Sequence, residues 1–182
     1  NIVLMAPKDE PELQQMMVTA MHHSGPAAIR YPRGVGPGHE LLDSPSPLPL
    51  GAGERIKDGR DAAVLAVGSR VAPALEAVRR LEERAARTFA VYNARFIKPL
   101  PAEIIQELAG QHSRLLILEE NVLAGGFSSA VLEFLADKHL MSGLQVTRLG
   151  LPDRFVQHGS IKDQLQEVGL DIVSIEKALE KL

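Results

Sequence analysis

The sequence predicts an α/β fold in which a short parallel strand–helix–strand unit is followed by a larger open α/β sheet. Apolar segments of strand length alternate with segments of helical periodicity along most of the 182 residues. The strand segments are nearly continuous apolar runs, which is typical of parallel strands covered by helices on both faces. Hydrophobic residues make up 45% of the chain, which is enough for a real core.

The first unit is predicted over residues 1–34, with strands at residues 2–6 and 27–31. Between them, Asp9 and Pro11 are typical of a helix start. The helix then carries an apolar stripe at helical spacing, which we expect to lie in the core: Leu13, Met16, Met17, Ala20 and Met21. Because a core strand opens the chain, we expect a segment to precede Asn1.

Residues 35–60 predict a linker between domains, with a short strand near residues 48–56. Proline and glycine interrupt both helical and strand patterns in this stretch. Gly51 and Gly53 suggest a phosphate loop only superficially, because no strand precedes them and no helix follows.

The second unit is predicted over residues 61–182. Its strands alternate with helices, as in an open sheet with helices on each side. The predicted strands are residues 62–67, 89–94, 115–118 and 145–149. The predicted helices are residues 71–87, 127–138, 160–168 and 172–182. A further helix is predicted to carry Ile104, Ile105 and Leu108.

Composition excludes several classes of site. The net charge of −3 gives no sign of a nucleic-acid-binding surface. The chain has no cysteine, which excludes disulfides, thiolate metal sites and a cysteine nucleophile. Its six histidines have no metal-ligand spacing, and no apolar run reaches membrane-spanning length.

The principal candidate site is the strand exit Arg30-Tyr31-Pro32-Arg33-Gly34. Side chains alternate in an extended segment, so Arg30 and Arg33 are expected on opposite faces. One guanidinium would then point into a cleft beyond the strand and hold a phosphate or carboxylate. The other would serve an internal ion pair or an interface. From this pattern alone, an ion pair remains the alternative for either arginine.

Three further groups at strand exits are weaker candidates. Glu119 and Glu120 are adjacent and therefore point to opposite faces, which favours structural or interface roles over a shared acid–base task. Arg95 and Lys98 are expected to pair with acidic neighbours. His158 lies in a turn-rich connector and is the one histidine expected beside a cleft.

Five motifs carry a resemblance over the whole chain. They are residues 1–10, Arg30-Tyr31-Pro32-Arg33-Gly34, residues 95–100, residues 118–121 with Gly125-Gly126, and residues 150–153. In this order they resemble the carboxyl-terminal portion of the 1-deoxy-D-xylulose-5-phosphate synthase family of transketolase-like enzymes. One such motif is weak, whereas five in register are specific.

The resemblance implies an enzyme that uses thiamine diphosphate and Mg²⁺ to join pyruvate to glyceraldehyde 3-phosphate with loss of CO₂. This reaction leads to isoprenoids and thiamine. The resemblance divides the chain into the end of a pyrimidine-binding domain (residues 1–34), an interdomain linker (35–60) and a transketolase C-terminal domain (61–182). It maps Arg33 onto the contact with the substrate phosphate, with Arg30 and Tyr31 as further substrate-binding candidates.

The resemblance also places the catalytic, cofactor-binding and metal-binding residues upstream of Asn1. The chain is therefore expected to be inactive alone and to need the remaining N-terminal part of the same enzyme and a second copy in a homodimer. The implied location is the bacterial cytoplasm, or the plastid stroma in a plant. The alternatives are another transketolase-like enzyme, such as a 2-oxoacid dehydrogenase β subunit, and a non-catalytic α/β assembly module.

Overall fold

The computed structural model describes residues 1–182, which form two β-sheets with helices packed against them. The strands are β1 (Val3–Met5), β2 (Ala27–Ile29), β3 (Glu54–Lys57), β4 (Ala62–Ala66), β5 (Phe89–Asn93), β6 (Phe96–Lys98), β7 (Arg114–Val122) and β8 (Gln145–Leu151). The helices are α1 (Glu10–His22), α2 (Val71–Arg84), α3 (Ala102–Gln111), α4 (Phe127–Asp137), α5 (Ile161–Glu167) and α6 (Ile172–Glu180). None of these helices combines the length and apolar character that crossing a membrane requires.

The larger sheet has the strand order β3-β5-β4-β7-β8 and confirms the predicted open α/β architecture. Its strands are parallel except for the edge strand β3, which pairs antiparallel with β5. All five residues of β4 are buried, because helices cover both faces of the sheet. One core cluster lies on each face, the first including Ile105 and Phe127 and the second including Val78 and Ile175.

The smaller sheet has the order β2-β1-β6. Strands β1 and β2 are parallel and are connected by α1, as the sequence predicts. Helix α1 begins where expected, because the Asp9 side chain accepts a hydrogen bond from the Glu12 N–H at 2.8 Å. Strand β2 ends at Ile29 rather than at the predicted residue 31, because Arg30 makes the last backbone hydrogen bond to Met5 and residues 31–37 form none.

Strand β6 was not predicted. It follows β5 in the larger sheet, yet it pairs antiparallel with β1 in the smaller sheet. Residues 96–98 are too short and too polar at their end to show a strand pattern by themselves. The smaller sheet therefore contains two strands from residues 1–34 and one strand from residues 61–182, so the two predicted units share a sheet.

The predicted apolar stripe of α1 is only partly correct. Met16 is buried and packs with Val3 and Phe96, but Met17 and Met21 are 55% and 83% exposed. A sheet of three short strands covers a narrow strip of the helix, and the two exposed methionines lie on the adjacent side.

A buried carboxylate joins the two units. Glu12 on α1 is 1% exposed, and its oxygens accept hydrogen bonds from Asn93 Nδ2 at 2.8 Å and Arg95 Nε at 2.7 Å. The backbone N–H and Nζ of Lys8 also donate to it. We call Lys8, Glu12, Asn93 and Arg95 the Glu12 cluster. It confirms the acidic partner expected for Arg95, whereas Lys98 is exposed and makes no ion pair.

Arg95 has a backbone φ of 58°, a left-handed conformation that is uncommon for residues other than glycine. Several contacts hold it there. Its N–H donates to Asn93 Oδ1 at 3.1 Å, its carbonyl accepts from the Ala6 N–H at 2.9 Å, and its guanidinium also contacts Glu54 at 2.8 Å. The turn between β5 and β6 is therefore held by the same residues that attach α1 to the larger sheet.

Replacement of Glu12 by leucine is expected to lower the free energy of unfolding by about 3–5 kcal/mol, because it leaves buried cationic and amide groups without their acceptor. Urea denaturation measures the change. The control is Glu133→Leu on the exposed side of α4, where a change within about 0.5 kcal/mol is expected. A loss at Glu12 no larger than that of the control would contradict the prediction.

Candidate functional site

A cavity of about 360 Å³ lies where the carboxyl ends of strands from both sheets meet. It is bounded by the residues that follow β2 and β4, by Glu120 near the end of β7 and by Leu151 at the end of β8. Ligands of open α/β sheets bind beyond the carboxyl ends of the strands, so this is the position expected for a site. We call it the arginine cleft, and its polar lining consists of Arg30, Tyr31, Arg33, Ser69, Glu120 and Gln164.

Part of the lining of the arginine cleft is apolar. It is formed by side chains on and around α5, chiefly Ile161, Leu165 and Val168, with Val156 and Leu170 beside them. The cleft therefore combines cationic with apolar lining residues.

A second cavity of about 710 Å³ adjoins the arginine cleft and shares Tyr31, Arg33, Ser69 and Glu120 with it. It lies between residues 31–37 and the start of α1, where Lys8 and Glu10 form part of its lining. Arg33 borders both cavities and is exposed.

The structure does not separate Arg30 and Arg33 as predicted. Both line the arginine cleft, because β2 ends at Ile29 and strand alternation does not extend to residue 33. Arg30 donates from Nη1 to Asn121 Oδ1 at 3.1 Å, a contact between the two units rather than an ion pair. Its Nε is buried and meets no hydrogen-bond acceptor in the protein.

Arg70 is a residue of this region that the sequence analysis missed. It is 7% exposed, contacts Glu120 at 2.7 Å and donates to the Leu170 carbonyl at 3.2 Å. Burial lowers the pKa of Arg70 and the nearby charge of Arg30 acts in the same direction, whereas Glu120 opposes them. A guanidinium nevertheless stays protonated in proteins. The signal that could have identified it is a basic residue within four positions of the end of β4.

The two adjacent glutamates have separate roles, as predicted. Glu119 is fully buried and accepts the N–H groups of Phe127 and Ser128 at 2.7 and 2.8 Å, which satisfies the start of α4. A side chain at Gly126 would lie 2.6 Å from the Glu119 carboxylate, so glycine permits this close approach. Glu120 points the other way, into both cavities.

The electrostatic character of the site is cationic. Arg30 and Arg33 line the arginine cleft, Arg70 lines the adjoining cavity, and Glu120 is the one carboxylate in the lining of the arginine cleft. Such an arrangement can hold an anion such as a phosphate. His158 is exposed and lines neither cavity, and Ser160 caps α5 by accepting the Asp163 N–H.

Arg33 lies on a segment that is attached only at its ends. Residues 31–37, which we call the arginine loop, form no hydrogen bonds with the rest of the protein. At one end, Arg30 is bound to Asn121 and to the backbone of β1. At the other end, Gly38 N–H donates to Glu10 Oε1 at 2.8 Å. A side chain at Gly36 would lie 2.1 Å from the same Glu10 oxygen, so the loop passes directly over this carboxylate.

The fold is that of a transketolase-like α/β protein. The family description "Transketolase, C-terminal domain" matches residues 51–175, and the chain belongs to that family.

Two relatives, both 1-deoxy-D-xylulose-5-phosphate synthases, narrow the resemblance. The protein from Nitratidesulfovibrio vulgaris strain DP4 is 52% identical over 182 residues, which are 100% of this chain and 28% of that protein. Synthase 1 from Geobacter metallireducens is 49% identical over 96% of this chain and 28% of its own length. These identities confirm the resemblance seen in the motifs, and the chain spans about 28% of the length of the relatives it matches.

Two solved structures share the fold. One, described as a split gene transketolase in an inactive β4 tetramer, has a TM-score of 0.82 and 26% identity, and the match covers 100% of this chain and 57% of that chain. A transketolase from Campylobacter jejuni has a TM-score of 0.68 at 17% identity, covering 100% of this chain and 26% of that one, and supports the fold alone.

The attachment of the arginine loop to Glu10 is expected to persist to acidic pH. The N–H of Gly38, with smaller effects from His39, lowers the pKa of Glu10 below its ordinary value of 4.5. Its contribution to stability is thus present above pH 4.5 and is lost as the pH falls through the lowered pKa. The amide proton shift of Gly38 in a nuclear magnetic resonance titration should follow this transition.

The titration has a direct control. Glu10→Gln should abolish the transition at Gly38, since the amide does not titrate. A midpoint at or above the ordinary value of 4.5, or a transition that survives the substitution, would contradict the assignment.

Proposed function

We propose that the chain is the carboxyl-terminal portion of a 1-deoxy-D-xylulose-5-phosphate synthase, a transferase that condenses pyruvate with glyceraldehyde 3-phosphate and releases CO₂. Identities of 52% and 49% to proteins of that name support this activity over that of another transketolase-like enzyme. In this proposal residues 1–34 end a pyrimidine-binding domain, residues 35–60 link the domains and residues 61–182 form the C-terminal domain. The family match at residues 51–175 supports the last of these.

The observation that carries the proposal is the exposed guanidinium of Arg33 at the mouth of a cationic cleft. We assign it to the phosphate of glyceraldehyde 3-phosphate, because its planar fork can donate to two phosphate oxygens at once. Arg30 and Tyr31 line the same cleft and are proposed as further contacts. Binding the remote phosphate orients the aldehyde for attack and so lowers the barrier through position.

The reaction of this family depends on thiamine diphosphate and Mg²⁺, and we propose that residues outside this chain bind most of both groups. No group of three or more His, Asp or Glu side chains is placed to hold a metal ion. The lining of the arginine cleft is cationic and offers Glu120 alone as a carboxylate. We therefore assign the cofactor and the metal to other parts of the intact enzyme and assign this chain to substrate binding.

The proposed partners are the remaining N-terminal part of the same enzyme and a second copy in a homodimer. The solved relative with 26% identity is itself a split gene transketolase whose β4 tetramer is inactive. By analogy, this chain is proposed to contribute a binding surface without turning over alone. The bacterial relatives favour the cytoplasm as its location.

Arg33→Ala in the full-length enzyme is expected to raise the KM for glyceraldehyde 3-phosphate about tenfold to a hundredfold, since a charge-assisted contact contributes about 1.5–3 kcal/mol. The KM for pyruvate should stay nearly unchanged, because pyruvate carries no phosphate. Steady-state kinetics with each substrate varied in turn measures both values.

The matched control is Arg114→Ala, which removes the same charge at the exposed amino end of β7, at the opposite end of that strand from Glu120. It should leave both KM values unchanged. An unaltered KM for glyceraldehyde 3-phosphate in Arg33→Ala would remove Arg33 from the substrate site.

A further inference from the structure

We infer that Asn121 is a positioning residue for phosphate binding, acting through its hydrogen bond to Arg30 on the placement of the arginine loop and hence of Arg33. The inference rests on the proposed function of Arg33. It extends the site to a residue of the larger sheet that need not touch the substrate.

The arginine loop has few attachments to the rest of the protein. Residues 31–37 are all exposed and form no hydrogen bonds, so no hydrogen bond of the loop itself determines where the Arg33 guanidinium lies. The position of Arg33 therefore depends on the two attached ends, Arg30 and Gly38. A residue on such a loop binds its ligand less tightly when an end of the loop is released. Ordering the loop on binding then costs more conformational entropy.

Arg30 is attached to both sheets. Its backbone N–H bonds to Met5 in its own sheet, while its side chain reaches Asn121 Oδ1 at 3.1 Å in the larger sheet. Asn121 Oδ1 is the one hydrogen-bond acceptor of the Arg30 guanidinium within the protein, since Nε has none. Loss of Asn121 would leave a half-buried cation free to turn within the cleft.

Arg30 has charged neighbours beside the cleft. The charge of Arg30 acts on Arg70, so the two cations lie close together and repel each other. Glu120 contacts Arg70 at 2.7 Å, and its neighbour Asn121 binds Arg30. Consecutive residues at the end of β7 thus hold two like charges in fixed positions beside the cleft. Asn121 thus holds the Arg30 side chain while the Arg30 backbone N–H stays bonded to Met5, so both sheets fix the start of the loop.

The test is made in the full-length synthase with two aldehydes, glyceraldehyde 3-phosphate and unphosphorylated glyceraldehyde. Asn121→Leu should raise the KM for glyceraldehyde 3-phosphate about fivefold to twentyfold, since small displacements of a binding group are costly. It should leave kcat/KM for glyceraldehyde and the KM for pyruvate within about twofold of the parent, because neither involves the phosphate.

Two comparison variants separate positioning from general damage. Asn121→Gln keeps a neutral amide oxygen as an acceptor for Arg30 without adding a negative charge, and its KM should lie closer to that of the parent than to that of Asn121→Leu. Gln145→Leu, at the exposed start of β8 and far from the cleft, should have no effect. Equal losses with both aldehydes would show a merely structural role and overturn the inference.

A double variant shows whether Asn121 acts through Arg33. With Arg33 already replaced by alanine, Asn121→Leu should cause little further loss, because the residue that it positions is absent. Additive losses would overturn the inference while leaving the proposed function intact. If Arg33→Ala itself has no effect on glyceraldehyde 3-phosphate, the proposed function of Arg33 fails instead, so the two failures are distinguishable.

Discussion

The structure depends on a single buried carboxylate at the joint between its two units. Glu12 on α1 accepts hydrogen bonds from Asn93 at the end of β5 and from Arg95 in the turn that follows. A charge with 1% exposure is tolerated because cations and amides surround it. The same contacts hold Arg95 in its left-handed conformation. Helix and turn therefore stabilise each other, and this joint holds the two units together beside the pairing of β1 with β6.

The joint matters for function because the arginine cleft is formed by both units. Arg30 and Arg33 come from the smaller sheet, whereas Glu120 and Asn121 come from the larger one. A rotation of one unit would separate the cationic loop from the strand end that holds it. The Glu12 cluster and the Arg30–Asn121 bond are thus two supports of one geometry, the first rigid and buried, the second at the edge of the cleft.

Most of the fold could be predicted from the sequence, because apolar runs and helical periodicity are local signals. Strand β6 could not, since its partner β1 lies ninety residues away and three residues carry too little pattern. Nor could the exposure of Met17 and Met21, which depends on how narrow the covering sheet is. In the site, Arg30 and Arg33 could be predicted as candidate binding residues because they come shortly after a strand. The Arg30–Asn121 contact spans 91 residues and is a tertiary property.

The passage of the chain from the larger sheet into the smaller one has a consequence for proteolysis. The long exposed stretch between β2 and β3 is an obvious site for cleavage by a protease. Cleavage there would break the covalent link but leave β1 paired with β6 and Glu12 bound to Arg95. We expect the two products to stay bound to each other and to copurify. A native sizing column would then show the mass of the uncut chain, whereas denaturing electrophoresis would separate the two products.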